Sequence, residues 1–418
     1  MAPEDAARLH MGMPHNPMQI AAVLLLDAPL DPERVRELLE RRVVVHERFR
    51  QRVVESWTGV RRPRWVESRA FDLEKHFEVV SSRAPISEIV SERISAPLNR
   101  RRPLWSAHLV VQQDGTSALM LRVHHCIADG ASLVQLLREL DDAPHAPFVP
   151  PAKAPARLHP RSRLRMLLAG ALAGVRLVAQ RGEPANPLRA RLTGRKQVAW
   201  SGALSLATLT ATAHEVGVTL NDLLLAAVAG ALGKAIARRT GRVPDPSMSL
   251  HALVPVVVRG GTPTDAGNRF ASLFVPLPIG IADVRARASI IEHEVAELRA
   301  HGAVAAGMQA VGAAGVATAL VERIGVTLFS RKGTATVSNV RGPDAPLHIC
   351  GAEVTGILVW APSPGSIGVG VSLFSYAGSA RVSVALDLGL GVDSARFAAD
   401  LEHDLAMLAA PSLAKNRG

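Results

Sequence analysis

Two apolar runs, Trp105 to Val111 and Ser117 to His124, lie either side of Gln112-Gln113-Asp114-Gly115-Thr116. An Asp-Gly turn between such runs predicts a β-hairpin, and here its second strand ends in a pair of histidines. Cys126-Ile127-Ala128-Asp129-Gly130 follows, and then Leu133, Leu136, Leu137 and Leu140 recur on one helical face, with Ser132 as a candidate cap. Side chains alternate along a strand, so His124 and His125 should point to opposite sides and only one of them should face a given cavity. A neutral imidazole there can take a proton from a hydroxyl near neutral pH, while Asp129 can hold a nearby loop or a basic partner. Taken alone, the pair also reads as two satisfied core histidines beside a turn aspartate.

With 418 residues, 48% of them hydrophobic and 20% charged, the chain has material for two globular domains of roughly 200 residues each. Cys126 and Cys350 are too far apart for a zinc pattern and too few for a disulfide framework, which suits a reducing compartment. The opening Met1-Ala2-Pro3-Glu4-Asp5 lacks the basic and apolar regions of a signal peptide, so a cytoplasmic location is expected. The formal charge of +11 is concentrated: residues 153 to 196 hold eleven Lys or Arg against Glu183 alone. No aromatic residue interleaves with them before Trp200, which argues against nucleic acid. An anionic membrane or lipid-droplet surface, or the phosphates of a coenzyme, fits better.

Along the chain, Glu4 to Met13 reads as a helix, Gln19 to Leu26 as a buried strand, and Asp31-Pro32-Glu33 as the start of a helix to about Arg48. A further helix is expected near Ile86 to Leu98. Prolines between Pro144 and Pro160 mark an extended crossover, inside which Leu164 to Gln180 reads as a helix. Three parts follow: 1–142, a basic linker 143–199, and 200–418. In the last, Thr219 and Asp222 have capping-box spacing ahead of an Ala/Leu-rich helix. Hairpin-paired strands among helices predict α/β, meaning α+β with mixed sheets, rather than a doubly wound fold. Gly302 to Val321 carries no charge and is read as a close-packed buried helix.

His124-His125-x-x-x-Asp129-Gly130 resembles the active-site signature of the chloramphenicol-acetyltransferase-like superfamily of CoA-dependent acyltransferases and condensation domains. Pro103-Leu104-Trp105, Asn221-Asp222, Asn268 ahead of Phe274-Val275-Pro276-Leu277-Pro278, and Ser338-Asn339-Val340-Arg341-Gly342-Pro343 resemble further motifs, in the same order, of the bacterial wax ester synthase/diacylglycerol acyltransferase family. Arg341 stands where that family usually has Pro. Phe71-Asp72-Leu73 with His76, and the N-terminal segment through His10 and Asn16-Pro17-Met18, match it too, although His10 by itself reads as a surface residue.

The resemblance implies two chloramphenicol-acetyltransferase-like domains with an active-site tunnel at their interface. It implies His125 as general base, His124 orienting the strand end, Asp129 paired with an arginine, and Gly130 leaving room for the turn and a ligand. Asn221 and Asn268 are candidate oxyanion donors. Pro103, Leu104, Trp105, Asp222, Ser338, Asn339 and Gly342 are substrate-binding or structural. Fatty acyl-CoA would be a substrate, with no cofactor and no metal, and a long-chain alcohol or diacylglycerol the acceptor, without a covalent acyl-enzyme. Two alternatives stand beside it: a superfamily acyltransferase with another hydroxyl or an amine as acceptor, and a non-catalytic protein of lipid surfaces. A thiol-nucleophile role for Cys126 is disfavoured, because no separate base accompanies it.

Overall fold

Two large β-sheets each draw strands from distant parts of the chain, and a separate two-stranded pair, Gln51–Val54 with Arg64–Glu67, stands beside them. The computed structural model describes residues 1–56, 62–143, 183, 185–257, 270–300 and 319–409. In chain order its strands are β1 (Gln19–Leu26), β2 (Gln51–Val54), β3 (Arg64–Glu67), β4 (Phe77–Ser82), β5 (Trp105–Gln112) and β6 (Ser117–His124). After these come β7 (Lys196–Trp200), β8 (Leu204–Ser205), β9 (Ser249–Val257), β10 (Phe270–Pro278) and β11 (Ala335–Arg341). Finally come β12 (His348–Ile349), β13 (Ala352–Trp360), β14 (Val369–Tyr376) and β15 (Ser379–Asp387).

The first sheet has the order β12-β13-β1-β6-β5-β4. Strands β5 and β6 form the expected hairpin, with Gly115 at φ +84° and Asp114 accepting the Thr116 N–H at 3.0 Å. One face of this sheet packs on the helices Pro32–Leu39 and Gly130–Glu139, through Val35, Leu39, Leu133 and Leu137. The former helix ends well before Arg48: it widens at Glu40–Val44, and His46 turns extended ahead of the short helix Glu47–Arg50. The opposite face packs on the helix Ile86–Ser95.

The second sheet runs β10-β9-β11-β14-β15-β7, with β8 paired to β15. Its outer face is buried under the helices Leu220–Thr240, Val284–Ala300 and Ser394–Ala409. The helix Leu220–Thr240 is long and apolar enough to cross a membrane by length and composition, yet most of it lies inside this core. Most of the proline-rich crossover, and the charge-free run as far as 318, lie outside the described residues.

Strand β13 hydrogen-bonds antiparallel to β1, so residues 348–360 complete the sheet that the first 142 residues begin. A division of the chain at 143–199 does not anticipate this exchange. Two other joints hold the halves together. Val198 and Ala385 of the second sheet share an apolar cluster with Ala21, Val23, Leu358 and Trp360, and the Trp360 Nε1–H donates to the Val384 carbonyl at 3.0 Å. Buried Asn16 donates to the carbonyls of Gly365 (3.1 Å) and Ile367 (2.7 Å) and accepts from Lys196 Nζ at 2.6 Å.

Inside the second half, Arg287 and Asp404 are 3% and 5% exposed and paired. Lys234 Nζ reaches the same carboxylate at 2.6 Å, and Arg287 Nε donates to the Ala226 carbonyl at 2.9 Å. Gly230 is required here, because a Cβ at that position would collide with both ion-pair side chains. Removing one member of a buried pair strands the other. Asp404→Ala is therefore expected to lower stability by about 3–5 kcal/mol in urea unfolding, and Asp404→Asn, which keeps a hydrogen-bond acceptor, by clearly less.

Candidate active site

The histidine pair is positioned first by its backbone. The His124 N–H donates to the Leu104 carbonyl at 2.9 Å, and the His125 N–H to the Met18 carbonyl at 2.8 Å. The end of β6 is thus clamped between the entries to β5 and β1. The Pro103-Leu104-Trp105 segment supplies one jaw of that clamp. Leu104 is 1% exposed and packs with Leu9 and Cys126. The Trp105 indole N–H donates to the Phe49 carbonyl at 2.8 Å. Its ring stacks on His76 at 4.8 Å, and His76 Nδ1–H returns a bond to the Trp105 carbonyl at 2.8 Å. The Phe71 to His76 stretch therefore braces Trp105, which in turn pairs with Val123 of the histidine strand.

The two imidazoles differ as alternation predicts. His124 is 6% exposed, and its Nδ1 accepts the Cys126 N–H at 3.2 Å, which places its own proton on Nε2. Burial, helped by the charges of Arg100 and His125, pushes its pKa down to about 3. His125 keeps some accessibility. Desolvation of its ring, followed by the Arg8 guanidinium, pushes its pKa down to about 4, while Asp129 pulls the other way. Both are free bases at neutral pH. Cys126 is buried and its thiol is pushed well above the usual range, chiefly by desolvation, so it is no thiolate.

Asp129, rather than Ser132, caps the following helix: its carboxylate accepts the Ser132 N–H at 2.9 Å. Ser132 lies inside the first turn. Gly130 has no left-handed backbone; a Cβ there would stand 3.6 Å from Val340 of β11, an ordinary contact. That contact brings the histidine turn against the Ser338 to Pro343 segment from the other half of the chain. Ser338 is buried and Asn339 exposed. Neither Asn339 nor Gly342 has a positive φ; Gly342 is needed because a Cβ would strike the Ser375 carbonyl and the Phe374 ring.

Thr219 and Asp222 form the full capping box, with Asp222 accepting the Thr219 N–H at 2.9 Å and its hydroxyl at 2.6 Å. Asp222 is thus explained by the helix start. Asn221 is half-buried in that first turn and makes no hydrogen bond to the histidines among the described residues. Asn268 lies outside the described residues. His10 is no surface residue: its Nε2 meets Glu55 Oε1 at 2.9 Å, and its side chain is 12% exposed.

Arg8 is the group that sequence reasoning missed. It is 5% exposed, lies 3.4 Å from Asp5, and acts electrostatically on His125. The available signal was a lone cation among the apolar residues Ala6, Ala7 and Leu9 of a short N-terminal helix. Chemically, the site offers one accessible neutral imidazole at a rigid strand end, a second imidazole closed off behind it, and flanking charges of both signs.

Residues 1–181 match the family model of the wax ester synthase/diacylglycerol acyltransferase catalytic domain, and residues 266–409 that of its C-terminal domain. A protein named as a diacylglycerol O-acyltransferase in Mycobacterium bovis is 30% identical over 88% of this chain and 82% of its own length. Another so named, in Mycobacterium tuberculosis, is 25% identical over 95% and 92%. Among solved structures, the wax ester synthase/diacylglycerol acyltransferase of Marinobacter aquaeolei superposes with a TM-score of 0.70 at 21% identity, covering 98% of both chains. The first condensation domain of the calcium-dependent antibiotic synthetase superposes at 0.58 and 17% identity, covering 97% of this chain and 92% of its own, and shares the two-domain chloramphenicol-acetyltransferase-like fold.

The buried histidines carry a pH signature. Folded His124 binds its proton only near pH 3, whereas an unfolded histidine binds one near 6.5. Between those values the unfolded state holds the extra proton, so stability falls as pH drops below about 6.5. In His124→Gln this fall, followed by urea unfolding, should be shallower by about 1.4 kcal/mol per pH unit between about pH 6 and 4.

Proposed function

The chain belongs to the wax ester synthase/diacylglycerol acyltransferase family, and from that premise we propose that His125 is the general base of its acyl transfer. The enzyme is an acyltransferase that forms wax ester or triacylglycerol, from acyl-CoA and an alcohol or diacylglycerol. The observation that carries the assignment is the asymmetry of the pair: His125 keeps access at the strand end, while His124 is sealed and spends its Nδ1 on the Cys126 N–H.

In this reading the acceptor hydroxyl binds within reach of the His125 imidazole. As its oxygen attacks the thioester carbonyl carbon, the imidazole takes the hydroxyl proton and becomes imidazolium. The tetrahedral intermediate then expels the coenzyme thiolate, the C–S bond breaks, and the imidazolium returns the proton to sulfur. Atoms and charge balance without a covalent acyl-enzyme. Asp129 favours the transient imidazolium and Arg8 opposes it, so the base is regenerated readily once the thiolate leaves. Asn221 and Asn268 remain the candidate donors to the oxyanion, whose stabilisation requires such a group. The ten net positive charges of 153–196 support attachment of this enzyme to an anionic membrane or droplet surface.

Free thiol released from palmitoyl-CoA, with hexadecanol or dioleoylglycerol as acceptor, measures the activity. His125→Ala should lower it at least about 100-fold while leaving the fold intact. Whichever acceptor supports release identifies the product. Folded wild-type protein that binds palmitoyl-CoA but releases no thiol with either lipid would point to another acceptor.

For the surface, anionic liposomes should float the full chain and not a variant with the arginines of 153–196 replaced by glutamine. Equal flotation of both proteins would remove the basic segment from the account.

A further inference from the structure

A cavity of about 350 Å³, open to solvent, is lined by Leu38, Arg41, Arg42, Asp141 and Asp142. The helix Gly130–Glu139 starts at the histidine turn and ends beside this cavity, so its ten residues set about 15 Å between the two. One wall comes from the widened turn Glu40–Val44, which carries Arg41 and Arg42. Turns of this wide kind are rare in helices and recur at functional sites. The other wall is the segment just after the helix Gly130–Glu139. There Asp141 accepts the His348 N–H at 2.8 Å, and the two oxygens of Asp142 accept the N–H groups of Cys350 (2.9 Å) and Gly351 (2.7 Å). These bonds tie both carboxylates to the β12–β13 turn and fix their positions.

The two walls carry opposite charges that do not close on each other. Among the described residues Arg42 forms no ion pair, and Arg41 forms one, with exposed Glu37 one turn earlier at 4.0 Å. Like charges at neighbouring positions repel, so each wall is completed by an opposite charge placed against it. No ion of a single sign serves both walls, because an anion drawn to the arginines meets two aspartates, and a cation drawn to the aspartates meets two arginines. A zwitterion serves both. Two adjacent guanidiniums suit a phosphate, which offers more acceptor oxygens than a carboxylate. Two carboxylates suit an ammonium group, and Leu38 gives an apolar contact for a short linker. The volume lies at the small end of the range for ligand cavities, which favours a compact molecule.

We propose that this cavity binds the phosphate ester of a short amino alcohol, its phosphate against Arg41 and Arg42 and its ammonium group against Asp141 and Asp142. That chemistry is the ethanolamine phosphate unit, which occurs both as a free small molecule and as the headgroup of phosphatidylethanolamine. The proposal stands apart from the acyl-transfer reading, because the cavity holds no residue assigned to that reaction.

Calorimetric titration of the full chain with phosphoethanolamine tests it, with glycerol 3-phosphate as a phosphate ester that lacks the ammonium group. Phosphoethanolamine should bind at least about tenfold tighter than glycerol 3-phosphate, and Arg42→Gln should weaken it about tenfold. This variant should melt at the wild-type temperature, because Arg42 forms no ion pair among the described residues that the substitution could break. Equal affinity for the two esters would show that the acidic wall takes no part, and the proposal fails; it fails also if Arg42→Gln leaves the phosphoethanolamine affinity unchanged. Flotation tests the lipid source, with vesicles of phosphatidylcholine alone or with phosphatidylethanolamine added. Both are uncharged overall, which keeps the basic segment 153–196 out of the comparison, and the trimethylated nitrogen of phosphatidylcholine has no N–H to donate. Flotation that requires phosphatidylethanolamine and is lost in Arg42→Gln assigns the cavity to the lipid headgroup. Binding in the titration without such flotation assigns it to the free ester. Neither binding nor flotation would overturn the proposal.

Discussion

Two backbone hydrogen bonds, from His124 to Leu104 and from His125 to Met18, fix the point from which this molecule works. They hold the end of β6 as a central strand, with β1 on one side and β5 on the other. The side-chain directions at 124 and 125 follow from that clamp, because the backbone there cannot rotate without breaking paired peptide groups. Much of the surrounding structure serves the clamp. Trp105 anchors the start of β5 through Phe49 and His76, and Leu104 closes against Leu9 and Cys126.

Burial then sets the chemistry. Removing two adjacent imidazoles from water makes their charged forms costly, so both stay neutral, and the one with access becomes the useful base. Arg8 and Asp129 bring opposite charges to bear on His125 from two different elements. The N-terminal helix is therefore part of the site's electrostatics, although it supplies no group of the motif itself.

The halves are joined by shared structure. A strand from residues 352–360 completes the first sheet, Trp360 reaches across to β15, and Asn16 ties the N-terminal segment to the loop at Gly365 and Ile367. These joints place β11 of one half against the histidine turn of the other. A rigid junction of this kind can hold two substrates in register, from which a direct transfer gains its proximity.

Local patterns in the chain were enough to show the hairpin, the histidine strand end, the helix after Gly130 and the Thr219–Asp222 cap, because each is set by residues within a few positions of one another. Ordered motifs over the whole length also identified the family. Sequence alone did not show that Asp129 rather than Ser132 caps the helix, because both are competent and backbone geometry chooses. Nor did it show that Gly342 is a matter of crowding by Phe374 and not of backbone freedom. The exchange of β13 into the first sheet, the partnership of His10 with Glu55 and the charge of Arg8 beside His125 were decided only by the tertiary structure. Each joins or isolates groups far apart in the chain, and such contacts are fixed by how whole faces pack, which no local pattern of residues specifies.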